Sequence, residues 1–127
     1  MINLLLFLIA YILAFVLFPL GFVYALFTFR VSKAKYLFNL AFAIDKLGNA
    51  TLGVIMNDVL KKKGGVSFGN YDQTISYCLG RNQQLKTLNA LGRGVANMLD
   101  FFDKDHCAKA VRSYNLRNLI LEQDENR

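Results

Sequence analysis

Charged and apolar positions divide this chain at one point. Between Met1 and Phe29 no side chain is charged, and residues 2–29 read INLLLFLIAYILAFVLFPLGFVYALFTF. A helix of that length would run about 42 Å, against a hydrocarbon layer about 30 Å thick. The pattern predicts an N-terminal transmembrane helix with length to spare. Pro19-Leu20-Gly21 predicts a kink near its middle, because proline lacks an amide donor and its ring crowds the preceding turn. One outcome is a bent single span; the other is a span over residues 2–18 followed by a helix in the interface. A cleaved signal peptide would need a basic leading region, a shorter apolar core and a small-x-small cleavage site. The segment has no basic leading region and overshoots the core, so the reading favours a retained anchor.

Beyond residue 30 the pattern shortens. Residues 36–44 (YLFNLAFAI) are too few to span a bilayer and follow Arg30, Lys33 and Lys35. They suit an interfacial helix with Tyr36, Phe38 and Phe42 toward the acyl chains, or equally a core helix, ending about Gly48-Asn49. A second apolar patch, Leu52 to Leu60, ends in Lys61-Lys62-Lys63, which favour a helix C-terminus. Residues 64–72 (GGVSFGNYD) form the clearest loop. Asn70 or Asp72 is expected to cap a short helix over 73–79 that Gly80 stops. A longer helix is expected from Gln83 to Phe102, with Leu85, Leu88, Leu91, Val95, Met98, Leu99 and Phe102 as its buried stripe. Gly92 and Gly94 mark either a close backbone contact or a break in it. A polar turn over 103–107 leads to a last helix near His106, capped by Asp105. The fold class is therefore mainly α. The expected parts are a transmembrane anchor over 1–29, a juxtamembrane helix over 30–48, a small helical domain over 49–121 and a polar tail over 122–127.

Charge adds direction. All fifteen Lys and Arg and all nine Asp and Glu lie from Arg30 onward, so the net +6 belongs wholly to the second part. Arg30, Lys33 and Lys35 just after the apolar run place the C-terminal domain in the cytoplasm by the positive-inside rule. Pro19, Gly21, Arg30, Lys33 and Lys35 are thus the candidate membrane-determining residues, and anionic lipid headgroups the expected partner. No basic run is interleaved with aromatics, so nucleic acid is not expected. Ala10, Ala14, Gly21 and Ala25 fall near one helical face, where small residues let two helices approach closely. Ordinary membrane-helix composition explains them as well, and self-association stands beside it. Cys78 and Cys107 are too few for a disulfide framework and read as reduced, partly buried thiols.

Candidate chemistry is sparse. His106 lies beside Asp103, Asp105 and Cys107, residue types that bind transition metals, but four ligands crowded into one turn point in different directions. A helix-capping turn is the favoured reading, with no metal and no cofactor. Asp45 and Asn49, one helical turn apart, and Asp72, Thr74, Ser76 and Arg81 around the short central helix could form a polar site or tie segments together. The Gly-rich stretch over 64–69 lacks the GxxxxGK[ST] pattern of a phosphate loop.

Three strings, AIDKLGNATLG, FGNYDQTISYCLGR and LDFFDKDHCAKAV, resemble a group of small proteins encoded by tailed phages and prophages. The recurrent pattern is D-x-x-G-N, then D-[EQ]-T-I-S-x-x-x-G-[KR], then L-D-x-x-D-x-x-H-C. It matches Asp45, Gly48 and Asn49; Asp72, Thr74, Ile75, Ser76, Gly80 and Arg81; and Leu99, Asp100, Asp103, His106 and Cys107. The likeness covers about residues 41–111. It departs at Phe68-Gly69-Asn70-Tyr71, where such proteins often carry a Gly-Gly-Asp/Asn-Pro turn. The apolar N-terminus resembles members from phages of Bacteroidales-like hosts. The resemblance implies a phage or prophage origin and no established activity. The expectation is a non-enzymatic accessory protein of the bacterial inner membrane, in lysis support or interference with a host membrane system. The alternative is a membrane-tethered enzyme or metal-dependent module using Asp45, Asp72, Asp103 and His106.

Overall fold

A computed structural model describes residues 1–28 and 32–126; Arg30 lies outside the described residues. Among these the chain is helical, with α1 (Ile2–Phe27), α2 (Lys33–Val59), α3 (Ile75–Gln84), α4 (Ala90–Phe102) and α5 (His106–Glu125). Residues Met1–Ala41 form one compact unit and Phe42–Arg127 another, with the residues of α2 divided between them.

In the first unit, α1 is one uncharged helix of 26 residues that runs on through Pro19. The helix therefore has no break at residue 18. It is long and apolar enough to cross a membrane, and none of its most apolar stretch is buried inside the protein. Of the small residues on one face, Ala25 is buried, Ala14 half-buried and Ala10 exposed. A Cβ added to Gly21 would meet nothing within 4 Å. The Phe22 ring lies 6.5 Å from that of Tyr36, so the first turn of α2 is held near the end of α1.

The second unit contains a core of Met56, Leu60, Phe68, Tyr77, Cys78, Leu79, Leu88, Ala96, Cys107 and Val111. Helix α3 packs along α5, and α4 packs against both. Helix α2 does not end at Gly48-Asn49 but continues to Val59. Asn49 turns inward there and spends its side chain on a neighbouring loop, so the pair never serves as a cap. The predicted helix over 83–102 is broken, and its first residues belong to α3, which passes through Gly80 to Gln84. Gly80 ends nothing because it faces α5: a Cβ on it would lie 2.4 Å from the Cys107 carbonyl oxygen. Lys86 (φ 56°) makes the turn, and Asn89 then caps α4 by accepting the Gly92 amide at 2.9 Å.

The buried face of α4 also differs from the expectation. Leu88, Gly92 and Ala96 face inward, with Val95 and Leu99 at the edge of the core. Leu91, Met98 and Phe102 are 57%, 53% and 79% exposed. The cause is a close approach: a Cβ on Gly92 would sit 2.0 Å from the Leu60 carbonyl oxygen. Leu60 and Asn89 are joined there by a backbone hydrogen bond of 3.1 Å. The small residues, not the large ones, therefore define the contact line.

Candidate functional site

The candidate polar residues sort into three groups around the loop between α2 and α3. The first is a line of hydrogen bonds joining three helices. Asp45 on α2 accepts the Ile75 amide through Oδ1 (2.9 Å) and the Ser76 hydroxyl through Oδ2 (2.9 Å). Ser76 Oγ lies 3.1 Å from His106 Nε2, at the start of α5. His106 Nδ1 lies 3.0 Å from Asp103 Oδ2, and Lys109 Nζ donates to the other Asp103 oxygen at 2.6 Å. The Lys109 ammonium, and then His106, holds the Asp103 carboxyl below its ordinary range.

Proton accounting restricts this line. A serine hydroxyl has one proton and accepting lone pairs, while a carboxylate only accepts. If Ser76 donates to Asp45, its oxygen accepts from His106 Nε2–H, and Nδ1–H serves Asp103; the ring is then an imidazolium. If the ring is neutral with its proton on Nδ1, Ser76 must turn its proton to Nε2 and leave Asp45 Oδ2 without it. The second arrangement has the order of a nucleophile, a base and an orienting carboxylate. Two features oppose attack by Ser76. The residue is 5% exposed, and the flanking amides are committed, Ile75 N–H to Asp45 and Tyr77 N–H to Thr74 Oγ1. An oxyanion requires such donors to be aimed at the developing charge.

The second group is a set of buried asparagines that replace secondary structure for residues 64–74. Asn49, fully buried, donates to the carbonyls of Asn70 (2.9 Å) and Gln73 (3.0 Å) and accepts the Gly69 amide (3.2 Å). Asn57 pairs with both backbone groups of Phe68, at 3.0 and 2.9 Å. Asn82, fully buried, pairs with both backbone groups of Val66, donates to the Cys78 carbonyl and accepts from Thr87 Oγ1. Buried peptide groups need such partners. Asn49 was a candidate from sequence; Asn57 and Asn82 were missed, although an amide among apolar helix positions is the signal that could have found them.

The third group centres on Asp72, which lies apart from the first. It accepts from Lys46 Nζ (3.0 Å) and from the Arg117 guanidinium. These cations, Lys46 foremost, hold its carboxyl below the ordinary value. Lys46 also stands 5.1 Å over the Phe42 ring, and Arg117 the same distance over Tyr114. Asp72 caps nothing; Thr74 caps α3 instead. Asn70 accepts the Asp72 amide at 2.9 Å within the loop. Arg81 donates to Gln84 Oε1 at 2.8 Å.

The metal candidates do not assemble. Among the described residues no group of three or more His, Cys, Asp or Glu side chains is placed to hold a metal ion. Both ring nitrogens of His106 are occupied, and Cys107 is fully buried. Asp105 stands at the N-cap of α5 with φ 59°, yet its side chain makes no capping bond. Asp100 does that work from α4, accepting the Cys107 amide at 3.0 Å. Burial pushes both thiols, Cys78 and Cys107, up to about 12, which suppresses the thiolate that nucleophilic chemistry needs. The arrangement can hold helices at a fixed spacing and pass a proton along one short line. No protein-family model, no curated protein and no solved structure matches the chain.

Proposed function

We propose that this chain is an accessory protein of phage or prophage origin, anchored in the bacterial inner membrane by α1 and acting without catalysis of its own. The observation that carries the reading is α1: 26 uncharged residues, long and apolar enough to cross a membrane, with none of its most apolar stretch buried inside the protein. A helix that is apolar all round needs either a protein core or a lipid environment. Arg30, Lys33 and Lys35 follow it in the sequence, so the helical unit lies on the cytoplasmic side by the positive-inside rule. The phage origin rests on the resemblance of residues 41–111. The residues that carry that pattern also supply the caps and cross-links of the second unit. A scaffold that presents surfaces at the membrane explains their use, in lysis support or in interference with a host membrane system.

Expression in a bacterium followed by alkaline carbonate extraction tests the anchor: the chain is expected to stay with the membrane. Recovery in the carbonate supernatant refutes it. A lesion-forming version, with α1 helices paired through Ala10, Ala14, Gly21 and Ala25, predicts collapse of the membrane potential on induction. Normal growth with full potential removes that version alone.

The line from Asp45 through Ser76 and His106 to Asp103 favours one other reading, a membrane-tethered enzyme. Asp72 lies outside that line, so an enzyme using all four candidates would need Asp72 in a separate role. Ser76→Ala and His106→Gln separate the readings when phenotype and abundance are measured together. Loss of phenotype at unchanged abundance supports the enzyme; loss of both together supports the scaffold.

A further inference from the structure

The second unit leaves one face whose chemistry matches a specific surface. On α4, Leu91, Met98, Phe101 and Phe102 are 57%, 53%, 84% and 79% exposed. Spacings of seven, three and one bring them to one side of the helix. Gly94 lies on the same side, and a Cβ there would meet nothing within 4 Å. Phe101 and Phe102 stand edge to face, with ring centroids 5.6 Å apart. A contiguous exposed set of large apolar side chains marks a contact surface rather than ordinary exposure.

The charges at its N-terminal end are of one sign. Residues 61–63 run beside the start of α4: Lys61 bridges to Leu88, and the Lys62 amide donates to the Thr87 carbonyl at 2.8 Å. Lys61, Lys62, Lys63, Lys86 and Arg93 therefore gather at one end of the apolar face. At its other end Lys104 stands between Asp103 and Asp105, where Asp103 is paired with Lys109 and His106 and Asp100 accepts the Cys107 amide. Between residues 61 and 99 the sequence has a single acidic residue, Asp72, and that carboxylate is committed to Lys46 and Arg117. The other exposed apolar faces lack this match. Leu116, Leu119 and Ile120 on α5 are followed by Glu122, Asp124 and Glu125, and the exposed stripe of α2 has no cation between Lys46 and Lys61 but carries Asp58.

We infer that the α4 face docks on the anionic bilayer surface, with Leu91, Met98, Phe101 and Phe102 in the headgroup–acyl boundary and Lys61–Lys63 on the phosphates. An amphipathic helix with aromatic and aliphatic groups on one side and cations beside them binds such surfaces by burial and charge together. The inference builds on the proposed anchor, because a tethered unit meets the bilayer at a high effective concentration. That tether lets a face too small for free association remain occupied.

The chain has no tryptophan, so one introduced residue reports alone. Phe102→Trp in the full chain is reconstituted into vesicles of phosphatidylethanolamine and phosphatidylglycerol, with and without acyl-brominated lipid. Tyr71→Trp, on a loop residue that is 82% exposed, serves as the reference. The expected result is blue-shifted emission quenched by bromine for Trp at 102 and water-like, unquenched emission for Trp at 71. Lys62→Glu with Lys63→Glu, or vesicles of phosphatidylcholine alone, should reduce the quenching at 102. Met98→Trp repeats the measurement on the same face and should give the same pattern. Water-like emission at both 98 and 102 overturns the inference. So does equal quenching at 71 and 102, or quenching indifferent to lipid charge. A blue shift that bromine does not quench and that grows with protein density assigns the face to a second copy and also overturns it. Carbonate washing separates this from the anchor: a chain that is quenched at 102 yet washes off keeps the docking face and loses the transmembrane reading.

Discussion

Single side chains hold the loop of residues 64–74, and their removal should be costly in proportion to burial. Asn82 is fully buried and its side chain satisfies four groups: the Val66 amide and carbonyl, the Cys78 carbonyl and the Thr87 hydroxyl. Asn82→Ala strands these polar groups away from water, and the expected loss is about 3 kcal/mol, read as a lowered urea midpoint in detergent micelles. Asp72 acts more weakly because its ion pairs are half exposed. Its carboxyl is held below the ordinary 3.8, so the folded state binds fewer protons than the unfolded one just beneath that value. Its stabilisation is complete above the unfolded pKa and is lost as pH falls through the lower, folded one. Asp72→Asn should therefore cost on the order of 1 kcal/mol at neutral pH. The difference from the parent should shrink below pH 3.8, which an unfolding series across acid pH would show. A constant difference would mean that Asp72 acts through packing.

At the scale of elements, the glycines decide how closely helices and loops approach. A Cβ on Gly53 would lie 2.3 Å from Gly69 Cα, backbone that cannot swing aside, whereas Gly94 faces open space. Gly53→Ala should unfold or strongly destabilise the second unit, by more than about 2 kcal/mol. Gly94→Ala should stabilise it by up to about 1 kcal/mol, since a helix-interior glycine costs that much relative to alanine. Thermal unfolding of the two variants side by side checks both signs. The same principle accounts for the misjudged face of α4. The three-four spacing of large apolar residues was real, but Gly92 against the Leu60 carbonyl turned the helix so that Leu91, Met98 and Phe102 look outward. Periodicity locates an apolar stripe; it does not say whether a protein core covers it.

For the whole molecule, the consequential property is that a bare apolar helix is followed in sequence by a basic, hydrogen-bonded helical unit. A charge at the centre of α1 should oppose insertion by about 3 kcal/mol. Leu13→Arg is accordingly expected to lower the carbonate-resistant fraction of the chain several-fold, while a conservative Leu13→Ile leaves it unchanged. Equal retention of both would show that α1 does not cross the bilayer.

What the sequence determined by itself follows from local chemistry. An unbroken run of uncharged residues is readable as a helix able to cross a membrane. The helical class, the stop of a helix just before Lys61–Lys63 and the start of α5 at His106 were legible because helix starts, stops and periods depend on residues a few positions apart. The tertiary structure decided what depends on distant partners. Only there do Asp45 and His106, sixty-one positions apart in sequence, meet at Ser76, while Asp72 goes to Lys46 and Arg117. Only there does Asn49 become a loop partner instead of a cap, and Gly80 a contact instead of a stop. Each of these residues offers the same hydrogen bonds or the same missing Cβ in any setting, and the neighbour that uses them is chosen by packing.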